Sequence, residues 1–125
     1  MKLQKKSERQ YLQLKSQKTD EEYSLSSVIS DVLQAKDIFL SHEIVRPNSR
    51  SSAPHFHTES DEIIYVVKGT LKAKEGDDEI ELHEGDSIIF EGNSGQHHFL
   101  KNESSLESQV LVIRKKIEKS DVEFE

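Results

Sequence analysis

Four side chains in the middle of this 125-residue chain have the types and spacing to do metal chemistry. In Pro54-His55-Phe56-His57, two histidines stand two residues apart. On a strand, residues at that spacing project from the same face. Their imidazoles can then meet one cation at about 2 Å, while Phe56 turns to the opposite face. Pro54 suits a strand start, where no ladder donor is required. Glu62 follows the polar stretch Thr58-Glu59-Ser60-Asp61 and opens the β-branched run Glu62-Ile63-Ile64-Tyr65-Val66-Val67. In phase with it are Ile64 and Val66, so this carboxylate heads an apolar face. A charge there needs compensation, and a cation supplies it.

His98 lies on a later strand, beyond the glycine-containing stretch 91–96. With its side chain turned inward it becomes a fourth donor, and Leu100 joins the same face. His97 is the rival, because strand alternation lets only one of the two face the interior. Three imidazoles and one carboxylate suit one divalent transition metal: Mn, Fe, Ni, Co, Cu or Zn. Ca and Mg favour all-oxygen sites. Four protein ligands on an octahedral ion would leave two positions for water or a small molecule.

Such donors must be held by strands, and the sequence supplies them. Asp37–Val45 is rich in Ile, Phe, Leu and Val, and 47–52 is a polar loop. Leu71–Lys74 and Glu79–Leu82 flank the turn Glu75-Gly76-Asp77-Asp78 and read as a hairpin. Ser87–Phe90, His97–Lys101 and Gln109–Arg114 complete the set. Many short strands at close spacing predict an all-β sandwich or barrel. Gly69, Gly76 and Gly85 read as turn glycines. Ahead of the strands, Leu25, Val28, Ile29, Val32 and Leu33 fall at helical spacing, and predict a short amphipathic helix over residues 24–34, with Ser24 as its cap. Tyr11, Leu12 and Leu14 suggest a short strand docked on the body or on a second copy. The charged tail from Lys115 is expected to fray. This divides the chain into a basic arm (1–23), the barrel (24–116) and a charged tail (117–125).

Composition narrows the partners. Apolar and charged residues each make up 33%, so the core is thin. No cysteine is present, which excludes thiolate sites and disulfides. Net charge is −7. Residues 1–18 hold six Lys or Arg against Glu8 alone, about +5, which leaves the rest near −12. An acidic body repels phosphate backbones, so nucleic acid is not an expected partner. No apolar run approaches the roughly 18 residues of a membrane helix, and the basic start leads into no hydrophobic segment. A cytoplasmic protein with no membrane partner is expected.

The pattern His55-x-His57-x4-Glu62-x6-Gly69, followed by Gly85-Asp86 and Gly95-x-x-His98-x-x-x-Asn102, resembles the two motifs of the cupin superfamily. The stretch Arg50–Gly69 looks especially like small single-domain bacterial cupins. The resemblance implies an antiparallel jelly-roll barrel, metal ligands His55, His57, Glu62 and His98, and a homodimer. It favours His98 over His97, since His98 satisfies both second-motif spacings. Three departures stand out. Ser49 replaces a glycine six residues before the first histidine. Phe90-Glu91-Gly92-Asn93 lacks the usual proline. The loop before His98 is two residues longer than the common form. These change turns rather than ligands. His42 and His83 read as ordinary polar residues.

The functions compatible with this reading are a metal-dependent enzyme of oxygenase or isomerase type, a small-molecule-binding or sensor module, and a metal-stabilised scaffold. The in-phase neighbours Ile64, Val66, Leu100, Ile88 and Phe90 are apolar. The strand Asp37–Val45 contributes either Ser41 and Glu43 or Leu40 and His42, depending on register. No clear general acid or base is legible.

Overall fold

A computed structural model describes all 125 residues. Twelve strands carry the fold: β1 (Leu12–Lys15), β2 (Glu22–Val28), β3 (Ile38–Val45), β4 (Ser49–Arg50), β5 (His55–His57), β6 (Glu62–Lys68), β7 (Leu71–Glu75), β8 (Asp78–Leu82), β9 (Ser87–Phe90), β10 (His98–Asn102), β11 (Ser108–Lys115) and β12 (Val122–Phe124). They form two antiparallel sheets. The first runs β1-β2-β3-β11-β6-β9; the second runs β12-β5-β10-β7-β8, with β4 also paired to β10. The sheets face each other as a jelly-roll barrel.

Alternation sets the interior. Along β6, Glu62, Ile64 and Val66 are buried and Ile63, Tyr65 and Val67 are exposed. The core joins Val45, Ile64, Val66, Leu71, Ala73, Leu82, Phe90, Leu100, Val110 and Val112 from both sheets. Ladder pairing puts inward side chains in rows across the first sheet. One row reads Phe39–Arg114–Glu62–Phe90, and another reads Ser26–Glu43–Val110–Val66. This register settles which face of β3 is inward: Ser41 and Glu43 face the interior, and His42 faces out. Gly69, Gly76 and Gly85 all adopt positive φ, as their turns require.

Two expectations are corrected. No amphipathic helix runs over residues 24–34. Residues Glu22–Val28 form β2, and only one helical turn, Ile29–Val32, follows. The helical spacing of the apolar residues is coincidental: the buried set is Ser24, Ser26, Ser27 and Ser30, whereas Val32 is exposed. Small serines fit against the sheet, and Ser24 and Ser30 find hydrogen-bond partners on it. Ser24 donates to Glu43 at 2.7 Å, and β2 pairs with β3 throughout Leu25–Val28. Tertiary pairing overrides a local period.

The tail does not fray. β11 continues to Lys115, and β12 pairs with β5 in the register Val122↔His57, Glu123↔Phe56, Phe124↔His55. At the other end, β1 extends the first sheet beside β2, so the arm docks on the barrel. No helix is long and apolar enough to cross a membrane.

Candidate metal centre

Three elements bring the donors together. β5 carries His55 and His57 on its inner face, β10 carries His98 directly opposite His55, and β6 opens with Glu62. One ligand atom from each of the four lies within 4.8 Å of the others, a grouping that could hold a metal ion. His57, Glu62 and His98 are buried, and His55 is half-buried at the cavity side. His97 is not among them: it turns away and packs edge-on against Phe56, with ring centroids 5.2 Å apart. Its neighbour His98 stacks on Phe90, with centroids 3.9 Å apart and planes 4° from parallel.

The hydrogen bonds sort the imidazole nitrogens. His55 Nδ1 faces the Ala53 carbonyl at 2.8 Å, and His57 Nδ1 faces Asp121 Oδ1 at 2.9 Å. A carbonyl or carboxylate can only accept, so both rings carry the proton on Nδ1 and offer a lone pair at Nε2. His57 Nε2 and His98 Nε2 stand 3.1 and 3.4 Å from the two Glu62 oxygens. Yet both nitrogens are buried without a hydrogen-bond partner. Buried polar atoms are rarely left unpaired. The donor set therefore fits a cation, toward which lone pairs converge instead of toward one another.

Charge within the cluster is mutually supporting. Burial opposes ionisation of Glu62, but the imidazoles of His57 and His98 hold its carboxyl well below the usual range. Burial likewise opposes protonation of His57, and the carboxylates of Glu62 and Asp121 outweigh it and raise its pKa. Burial lowers that of His55. Arg114 Nη1 donates to Glu62 Oε2 at 3.2 Å, and its guanidinium lies 3.7 Å over the Phe39 ring.

The cluster opens on a cavity of about 270 Å³, whose walls include Phe39, Ile64, Phe90, Leu100, Val112 and Arg114. Glu43 lines the same cavity. Its two oxygens accept from Ser24 (2.7 Å) and Ser41 (3.0 Å), and burial pushes its carboxyl up from the ordinary value. Of the apolar neighbours expected from phase, Ile64, Phe90 and Leu100 line the cavity, whereas Val66 lies in the core and Ile88 packs against it; Glu43 supplies the titratable group that the sequence left ambiguous. Asp121 and Arg114 were not legible as site residues. Arg114 could have been found by carrying alternation along Gln109–Arg114, whereas nothing local marks Asp121. His42 faces the other way and meets Tyr11 Oη at 2.8 Å, and His83 is exposed.

A barrel of two antiparallel sheets with a histidine–glutamate cluster at one end defines the class. The chain belongs to the cupin family: the family's sequence model, described as a cupin domain, matches residues 41–114. Solved structures agree on the fold. A polyketide cyclase from Streptomyces resistomycificus shares 19% identity over 99% of this chain and 84% of its own, with a TM-score of 0.76. A protein from Thermotoga maritima described as a predicted oxalate decarboxylase shares 15% over 93% of this chain and 100% of its own, also at 0.76. A sugar phosphate isomerase from Silicibacter pomeroyi shares 22% over 75% of this chain, with a TM-score of 0.72; the match spans 60% of that protein's length. No curated protein sequence matches this chain.

Proposed function

We propose that this cupin binds one divalent transition metal ion through His55, His57, Glu62 and His98, and that the centre holds a small oxygenated or anionic molecule for isomerase-type proton transfer. The observation that carries the metal reading is the pair of buried, unpartnered nitrogens, His57 Nε2 and His98 Nε2, beside Glu62. When bound, such an ion supplies Lewis-acid polarisation of a ligand oxygen. The chain supplies the rest. Arg114 adds positive charge beside the cluster, which favours anionic ligands. Phe90, Leu100 and Ile64 give the cavity an apolar wall beside the cluster. Glu43 is the one carboxyl of the cavity outside the donor set, and burial favours its protonated form, which suits a group that donates and takes back a proton. This feature favours proton transfer over oxygenase chemistry.

A non-catalytic binding module is the second reading. It is favoured by the row arrangement: Glu43 stands two inward rows deeper than Glu62, about 13 Å along the strand by its rise per residue. Proton NMR in deuterium oxide separates the two. With cobalt-loaded protein and a panel of small hydroxyketones and keto acids, the proposal expects deuterium to enter the carbon next to the carbonyl, and Glu43→Gln to abolish it. Saturable binding of panel members without exchange supports the module instead.

We also propose a homodimer built on the outer face of the first sheet. Ile63, Tyr65, Val67 and Ile89 are each 37–46% exposed there, and Ile63 lies directly opposite Ile89. Contiguous apolar sheet faces of this kind mark association sites.

A further inference from the structure

The C-terminal segment touches the candidate metal centre more closely than its sequence suggests. Asp121 is buried, although the residues just before it are largely exposed. One of its carboxylate oxygens faces His57 Nδ1 at 2.9 Å. The other accepts three bonds from the turn between β5 and β6: Glu59 N at 3.0 Å, Ser60 N at 2.9 Å and Ser60 Oγ at 2.7 Å. Its backbone carbonyl accepts from Thr58 N at 2.9 Å. Beyond it, Phe124 sits beside the other histidine of β5, its ring centroid 5.8 Å from that of His55. Glu125 N donates to Pro54 O at 3.1 Å.

We propose that the C-terminal strand is a working part of the metal centre: Asp121 is a positioning residue that fixes His57 with its proton on Nδ1 and its lone pair on Nε2, so that metal binding and tail docking stabilise each other. The inference rests on the metal reading above. A histidine ligand whose far nitrogen donates to a carboxylate is held in one tautomer and one orientation, and losing that acceptor typically costs about 10–100-fold in metal affinity. Coupling of this kind is reciprocal. If docking of Asp121 strengthens metal binding, the metal strengthens docking by the same factor. Such coupling should be readable in the tail because little buried apolar surface holds it. Val122 is half-buried, Glu123 and Phe124 are exposed, and β12 pairs only with the three residues of β5. Segments with so little buried apolar surface open most readily.

The test uses zinc as the probe and the full chain throughout. Zinc affinity is measured by competition with a chromophoric chelator for the wild type, Asp121→Ala and Asp121→Asn. Amide hydrogen exchange of residues 121–125 is followed in the wild type with and without zinc. The inference expects a loss of about 10–100-fold for Asp121→Ala, a smaller loss for Asp121→Asn, whose amide oxygen still accepts from Nδ1, and slower tail exchange when zinc is bound. The exchange arm needs no variant, so a folding defect in Asp121→Ala cannot mimic the result. If the wild type binds zinc but Asp121→Ala loses less than threefold, or zinc leaves tail exchange unchanged, the inference falls and the metal reading stands. If the wild type binds no zinc, the metal reading falls and takes this inference with it.

Discussion

His57 Nε2 lies 3.1 Å from Glu62 Oε2, yet no hydrogen bond joins them. One ligand atom from each of His55, His57, Glu62 and His98 lies within 4.8 Å of the others. In the folded chain the imidazole proton is engaged on the other side of the ring, by Asp121. A cluster built this way is costly without a cation, since buried lone pairs and a buried carboxylate are left facing each other.

Metal should therefore stabilise the fold. A ligand that binds only the native state at 100 times its dissociation constant adds about 2.7 kcal/mol. Urea unfolding with and without zinc at that excess should show a gain of this size, reversed by a chelator. No change in midpoint would count against the site.

Glu43 predicts a distinct pH signature in metal-free protein. Burial dominates its raised pKa; Ser24 and Ser41 oppose it, Glu62 adds to it, and Arg114 opposes it. Between the ordinary glutamate value of about 4.3 and its own folded value, the native state holds more protons than the unfolded chain. Stability must then fall as pH rises through that window. Glu43→Gln cannot ionise and loses this slope. Melting temperatures of the two proteins from pH 4.5 to 8 should diverge, the variant gaining on the wild type as pH rises. Parallel curves would refute the assignment.

Gly69 is required by its backbone and by its neighbour. Its φ is +84°, and an added Cβ would stand 2.5 Å from Ser108 Oγ. That hydroxyl donates to Thr70 O at 2.7 Å. Gly69→Ala should cost about 1–3 kcal/mol from backbone strain alone, read by denaturant unfolding. A cost below about 0.5 kcal/mol would mean the turn relaxes freely.

The outer sheet face makes a simple prediction about assembly. The wild type should run as a dimer in light scattering, and Tyr65→Lys with Ile89→Lys should run as a monomer that still binds zinc. A monomeric wild type would contradict the proposed pairing.

What was legible in the sequence follows from what chemistry constrains locally. His55, His57 and Glu62 sit on β5 and β6, consecutive in sequence though in opposite sheets and joined by one short turn, so type and spacing expose them together. His98 needed the choice against His97, which burial and the Phe56 contact of His97 now make. The face of β3 was ambiguous because both faces mix polar and apolar residues; only pairing with β11 turns Glu43 inward. β2 was misread because its apolar residues happen to follow a helical period while its serines are the buried set. Asp121 was invisible: it meets His57 across 64 positions of sequence, from a tail whose composition reads as solvated.

Cobalt content after equilibrium dialysis tests the central claim most directly. The wild type and His97→Ala should each retain one equivalent, and His98→Ala should fall well below it. Full retention by His98→Ala, or an empty wild type, would contradict the four-residue centre.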